Sequence, residues 1–318
     1  MIKNPPRDLQ VEVEKLTGFF RGVVEDNKDP LKAGRVRVRI HGIHTPKIIK
    51  DSTEGIPTNE LPWAEPCLPI QEGSISGFGM WAVPLQGSHV MLFFENSNPT
   101  QPRYFASMPG IPESKESYQN NNRVTSKRSD GFKDPDGKYP LSSRLGEPDV
   151  NRLARGVSND TLVTTKNSQR DTGVSTAGGG SWSEPSSPYN AKYPHNMVIA
   201  THGGVVIELD STEGSKRFQI YHPSNTYIEC DNSGNLVIKN KADRYEITVG
   251  NRNSHVKGND NDTADGNRNI KVGGNETKEI GGNETKEVGG NVEITVNGNV
   301  DLTAGGVVTV LASTINLN

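Results

Sequence analysis

Few residues in this chain have the types and spacing that do chemistry. His41 and His44 form His-x-x-His directly after a β-rich stretch. Two imidazoles are half of a metal site, and no further ligands stand near them in the sequence. A histidine pair of this kind is more often part of a turn. Arg35, Arg37 and Arg39 lie on one side of "GRVRVRI" and present a cationic stripe. Such a stripe on a net-acidic chain is more often solvated or subunit-facing than a nucleic-acid contact. No Ser-His-Asp arrangement, phosphate-binding loop or cysteine cluster occurs, so no catalytic residue is assigned. Cys67 and Cys230 are far apart and read as two buried free thiols rather than a disulfide.

The elements around these residues explain the lack of a reaction centre. The chain has 318 residues, a net charge of -3 and only 31% hydrophobic residues, with a mean hydropathy of -0.65. One large core would need more apolar residues, so they are concentrated in part of the chain or the fold is elongated. No apolar run is long enough to span a bilayer. The first ten residues lack the apolar segment of a secretory signal, which predicts cytosolic synthesis.

Residues 1–16 read as a polar arm. In residues 17–111, "FFRGVVED", "GRVRVRI", "WAEPCLPI" and "MWAVPLQGSHVMLFFEN" read as short strands separated by turn formers. A closed five-stranded OB-fold-type barrel suits them. Residues 112–192 are rich in Ser, Asn, Asp, Gly and Pro and read as an extended linker, with a short helix near "EPDVNRLARG". Its order would require packing against something else, such as another chain. Residues 193–247 read as an antiparallel meander punctuated by "DSTEG", "HPSN" and "DNSGN".

From residue 248 to 318 the chain repeats. Gly250, Gly258, Gly266, Gly274, Gly282, Gly290, Gly298 and Gly306 are spaced by eight without a slip. A fixed period means one structural unit per repeat, stacked on its neighbours. "VEITV" and "VDLTA" alternate with period two, so the body of the unit is a strand. Gly-Asn suits a left-handed corner. Eight residues supply one face, whereas a closed prism needs three. Three chains would supply them, with strands about 4.8 Å apart and the shaft rising roughly 40 Å. A disordered linker would not keep alternating Val and Ile. The calcium-binding β-roll has period nine with a fixed Asp, and neither holds here.

The expected needle core is Val272, Ile280, Val288, Val292, Ile294, Val296, Val300 and Leu302. The same register places Glu284, Lys286, Glu276, Lys278, Arg268, Asp262, Asp260 and Arg252 inside the upper half. Three copies of Asp260 and Asp262 would gather six carboxylates, a candidate axial ion site. The competing expectation is that the strand changes register and these side chains face solvent.

These stretches resemble the central spike of T-even-type contractile-tailed phages. "VVEDNKDPLKAGRVRVRIHGIHTP" with "GIPTNELPW" is similar to its OB-type barrel, and "DGFKDPDGKYPLSSRLGEPDVN" to the following linker. "YPHNMVIATHGGVVIELDSTEGSKRFQIYHPSNTYIECDNSG" is similar to the lead-in to its needle, and the octapeptides to the needle itself. The family carries a lysozyme domain between barrel and needle, and residues 112–192 contain nothing like it.

The resemblance implies an all-β homotrimer, with the barrel docked on a tail hub protein at the baseplate tip of the virion. It implies a needle that pierces the host outer membrane on sheath contraction. The absence of a lysozyme-like segment in residues 112–192 predicts no enzyme activity, the net-acidic chain without a basic block predicts no nucleic-acid partner, and no cofactor is expected beyond the candidate axial ion. The open C-terminal end calls for a PAAR-type capping protein. The alternatives are a cell-wall hydrolase with a degenerate enzyme domain and the spike of a type VI-like injection system.

Overall fold

The computed structural model of the chain describes residues 16–44, 56–70, 76–109 and 149–316. The histidine-to-proline stretch after residue 44, the first fifteen residues and most of the expected linker up to 148 lie outside them.

Five strands close a barrel: β1 (Phe20–Asp26), β2 (Val36–Ile40), β3 (Trp63–Pro66), β4 (His89–Phe94) and β5 (Pro102–Ser107), in the order β1-β2-β3-β5-β4. The β3–β5 closure is parallel and the other pairings are antiparallel. Strand alternation puts Val24, Val36, Val38, Ile40, Val90, Leu92 and Phe94 inside. Tyr104 joins them, and its hydroxyl donates to the Gly34 carbonyl at 2.6 Å; burial pushes that phenol up to about 12. Gly34 ends the β1–β2 turn at φ +75°, where a Cβ would lie 2.6 Å from Trp81, so both backbone and space demand glycine.

The arginine stripe is not solvated. Arg39 is 2% exposed and pairs with Glu25 at 2.6 Å. Arg37 donates to the carbonyls of Thr58 and Leu61 at 3.2 and 3.0 Å and lies over Trp63. Arg35 pairs with Asp29 at 2.6 Å. The three guanidiniums brace the barrel wall from within the chain. Arg39 is buried because Glu25 on neighbouring β1 neutralises it, which the spacing of β2 alone does not reveal.

Residues 149–192 are folded as a strap. Helix α1 (Thr161–Ser168) is capped by Asp160, whose side chain accepts from the Leu162 amide at 3.1 Å. The helix falls after the expected "EPDVNRLARG", whose described residues, 149–156, form bends and turns instead. A two-residue hairpin, β6 (Val174–Ser175) and β7 (Ser181–Trp182), comes next. Gly156, at φ +76°, lets the strap fold on itself: a Cβ there would lie 2.6 Å from the Ala191 carbonyl oxygen.

The meander forms a five-stranded antiparallel sheet: β8 (Asn196–Ala200), β9 (Val206–Asp210), β10 (Arg217–His222), β11 (Thr226–Cys230) and β12 (Leu236–Lys239), in spatial order. The strap is expected to gain its order by packing against something else, and among the described residues that partner is within the chain rather than a second copy. The strap packs on this sheet of its own chain, burying Leu153, Leu162, Val163, Tyr189 and Ala191 against Val206, Tyr221 and Tyr227. Beyond β12, residues 240–316 form no helix or paired strand. The backbone bends at each of the eight repeat glycines.

Candidate functional site

The sheet is inside out. Its ladder aligns five isoleucines in one cross-strand row, Ile199, Ile207, Ile220, Ile228 and Ile238. The adjacent row is Met197, Leu209, Phe218, Cys230 and Leu236. Both rows share one face. The nine hydrophobic residues besides Cys230 are 38–56% exposed. A contiguous apolar surface of this kind marks an association surface.

The opposite face is covered by the strap, and it sets a polar row beside the buried Val206, Tyr221 and Tyr227. Glu208, Gln219 and Glu229 form its central row, flanked by Arg217 and Asn196, all at most 5% exposed. Arg217 bridges Glu208 and Glu229, the latter at 2.9 Å. Lys166 of α1 reaches down to pair with Glu229 and donates to Gln219 at 3.1 Å. Its Nζ sits 4.1 Å from the Tyr227 ring centroid. Asn196 donates to Glu208 at 2.6 Å and to the Leu153 carbonyl at 3.0 Å. Two cations and two carboxylates balance, which is the condition for burying them. Burial pushes the Lys166 ammonium below the usual lysine value, against the pull of Glu229.

A second knot closes the rim. Glu184 takes a hydrogen bond from Tyr227 and an ion pair from Lys239 at 2.6 Å. Burial raises and these donors lower the Glu184 carboxyl, with a net shift downward. Burial and Glu184 together push the Tyr227 phenol up. The strap is thus held by this charge network together with its apolar cluster, and the outer face is left to carbon.

A cavity of about 470 Å³ lies between strap and sheet, lined by Arg152, Asp160, Leu162, Thr201, Val206 and Tyr221. Of its two acids, Asp149 and Asp160, the second is committed to structure: it caps α1 and pairs with Arg152 at 3.2 Å.

The residues singled out from sequence fall elsewhere. His44 Nδ1 accepts from the Ile40 amide at 3.0 Å, within a turn; burial and then Arg39 push its imidazole below the usual value. Cys67 is exposed and Cys230 half-buried, so the expectation of two buried thiols fails. Bends fall at Gly250, Gly258, Gly266, Gly274, Gly282, Gly290, Gly298 and Gly306. None has the left-handed φ expected of it, because the turn is made by the pair of residues ending at each glycine without reversing the chain.

Val272, Ile280, Val288, Val292, Ile294, Val296, Val300 and Leu302 are not gathered into a core within one chain; all are at least 42% exposed. Asp262 pairs with Arg268 at 3.1 Å across the Gly266 bend. Glu246 pairs with Arg252 at 3.3 Å across Gly250, and Lys278 with Glu284 across Gly282. Opposite charges thus face each other over alternate bends. The apolar sheet rows and the Lys166–Glu229–Arg217–Glu208 network were missed from sequence. The signal was the alternation in "IELD" and "RFQI", where polar and apolar residues occupy opposite parities.

Comparison with known proteins bears on this arrangement. Residues 42–187 match the model of the Gp5 N-terminal OB domain. Residues 210–310 match that of the bacteriophage T4 gp5 C-terminal trimerisation domain. The first match begins after β2 and takes in the strap, whereas the barrel itself starts at Phe20. Protein Gp5 of Vibrio phage KVP40 is 34% identical over 274 residues, 76% of this chain and 62% of that protein. The pre-baseplate central spike protein Gp5 of Enterobacteria phage T4 is 39% identical over 139 residues, 43% of this chain and 22% of that protein. The chain therefore spans less than two thirds of either relative.

Proposed function

We propose that this chain, which matches the Gp5 OB-domain and trimerisation-domain models over residues 42–187 and 210–310, is a phage baseplate central-spike protein of the Gp5 kind, and that three copies assemble into a structural spike at the tip of a contractile tail. The observation that carries this reading is the inverted sheet. Three copies bring their isoleucine rows onto a common axis, and the charged faces stay under the straps. The octapeptide runs then close as a prism, each copy supplying one face. Their backbone N–H and C=O groups, which form no strand ladder within one chain among the described residues, pair between chains.

In this reading the bends at the repeat glycines are the prism corners. Val272, Ile280, Val288, Val292, Ile294, Val296, Val300 and Leu302 line its axis. Asp262 needs no ion because Arg268 balances it, which leaves Asp260 as the candidate for an axial cation. The barrel docks on a tail hub protein, and a PAAR-type protein caps the C-terminal end. Sheath contraction drives the spike through the host outer membrane. The work is mechanical, so the protein supplies stiffness rather than turnover. The engagement of Asp160 and Glu184 in structural pairs supports a non-enzymatic role.

Light scattering of the purified full chain should give about three times 34.6 kDa. The same sample should release no fragments from peptidoglycan. A monodisperse monomer would refute the assembly, and glycan cleavage tracking with the protein would refute the mechanical role.

A further inference from the structure

Asn297 and Gly298 form the chain's only Asn-Gly dipeptide. The pair stands at one of the repeat bends, where the residue before the glycine is otherwise Val249, Lys257, Asp265 or a second glycine. Asn-Gly is also the pair that a tight hairpin prefers, with a left-handed backbone. That ordinary role is not the one it has here. Gly298 is not among the left-handed glycines, and no strand ladder flanks the bend in the single chain.

Elsewhere in the chain a turn asparagine or aspartate is pinned by nearby backbone. Asn98 accepts from the Thr100 amide at 3.0 Å, Asn151 from the Leu153 amide at 2.8 Å and Asp231 from the Ser233 amide at 2.9 Å. The Asn297 side chain has no hydrogen-bond partner among the described residues. Both Asn297 and Gly298 are exposed. A Cβ placed on Gly298 would meet nothing within 4 Å, so the space beside it is open. An unpinned side-chain amide next to a backbone nitrogen that no side chain shields is the arrangement in which a chain attacks itself.

We propose that Asn297 is a self-modification site that assembly protects. The Gly298 nitrogen loses its proton to solvent base and attacks Cγ of Asn297. A bond forms between that nitrogen and Cγ, the Cγ–Nδ2 bond breaks, and Nδ2 leaves as ammonia with a proton from solvent. Water then opens the cyclic imide. Opening at the side-chain carbonyl leaves aspartate. Opening at the backbone carbonyl leaves an isoaspartyl link, with one more atom in the backbone. No oxidant, metal or partner enters. Ring closure requires the bend to turn about its backbone dihedrals, and in the prism the strands on both sides of the bend fix them. The protection rests on the trimer reading, whereas the site itself does not. The product would be disruptive because residues 288–316 carry only Glu293 and Asp301 as charges. Each converted chain adds a carboxylate on their parity, and an isoaspartyl octapeptide is out of step with the two it must pair with. Conversion before assembly thus removes a chain from the pool that can close a prism.

Full chains are held in mildly alkaline and in slightly acidic buffer, and residue 297 is followed by peptide mass spectrometry and isoaspartyl-specific methylation. Wild-type trimers are compared with Ile220→Asp chains, whose apolar face cannot pack. Ile228→Asp takes their place should that variant fail to fold or stay trimeric. The folded monomer should release ammonia from Asn297 and gain isoaspartate, faster in the alkaline buffer. Trimers should convert about tenfold more slowly, the factor that ~1.4 kcal/mol of resistance to turning the bend represents. Asn297→Ser should remove the ammonia release, and release that persists would place the reaction elsewhere and overturn the assignment. A folded monomer that keeps Asn297 intact in alkaline buffer, while the same chain unfolded in guanidinium loses it, would also overturn the site. Trimers that convert as fast as monomers would overturn the protection. A wild-type chain that is monomeric by light scattering would overturn the trimer reading, and conversion of its Asn297 would leave the site standing.

Discussion

Replacing Ile220 by Asp probes the inverted sheet at its centre. Ile220 is in the middle of the isoleucine row and is 49% exposed in one chain. Fully burying an isoleucine is worth about 1.5–3 kcal/mol. About half of that, ~1 kcal/mol, is gained only when copies meet. An aspartate there must also give up water without a hydrogen-bond partner, costing about 2 kcal/mol more. The loss is ~3 kcal/mol per copy and ~9 per trimer, or about six orders of magnitude in association at 1.4 kcal/mol per decade. Light scattering should then report a monomer at micromolar concentration, with the β signal of sheet and barrel retained. Cys230 lies in the same apolar face and Cys67 is exposed. Alkylation of Cys230 should therefore be slow in the native protein and fast in the variant, with Cys67 fast in both. An Ile220→Asp protein that stays trimeric with Cys230 protected would refute the assignment of this face to assembly.

The remaining expectations address the polar side and the turns. Lys166→Met removes one cation from the buried network and leaves Glu229 with Arg217, so chemical denaturation should show a loss of about 3 kcal/mol or more; an unchanged midpoint would mean the network is not closed in solution. Asp29 accepts from the Leu31 and Ala33 amides at 3.0 and 2.8 Å. Its carboxyl is held well below the usual range, first by the Arg35 side chain, against burial, and then by these amides. Because the folded value is depressed, its stabilisation is complete above the unfolded value near pH 4 and fades only as pH falls below it (about 3.9 for a free aspartate). The Leu31 and Ala33 amide resonances should move only in that acid window, and a midpoint near 4 would show the clamp to be absent. Gly282→Ala should leave the melting temperature unchanged or slightly raised, since φ there is not left-handed; a fall of several degrees would mean that the corner tightens on assembly.

Bends at every eighth residue leave a backbone with no strand ladder inside its own chain among the described residues. Such a segment is costly as a monomer in any partly dry setting and inexpensive as one side of a three-chain prism. The ion pairs over Gly250, Gly266 and Gly282 show how polar side chains in the upper repeats can be brought toward neutrality before any partner arrives.

The sequence by itself determined the periods. Alternation in "GRVRVRI" and in "RFQIYH" made strands, and glycines eight apart made bends at the places where the backbone bends. These are local effects, set by side-chain direction and backbone freedom within a few residues. What alternation cannot say is which face of a strand is inward, because both parities are equally available to a pleated backbone. In β8–β12 the ordinary expectation, apolar inside and polar outside, is reversed for the single chain. That was decided by the strap, whose Lys166 lies 63 positions from Glu229 and meets it only in the folded chain. Arg39 was decided in the same way, by Glu25 across the β1–β2 ladder. A charge is buried where an opposite charge from a distant segment waits for it. Only the tertiary arrangement brings the two together, and that arrangement turns an ordinary meander into a surface made of isoleucine.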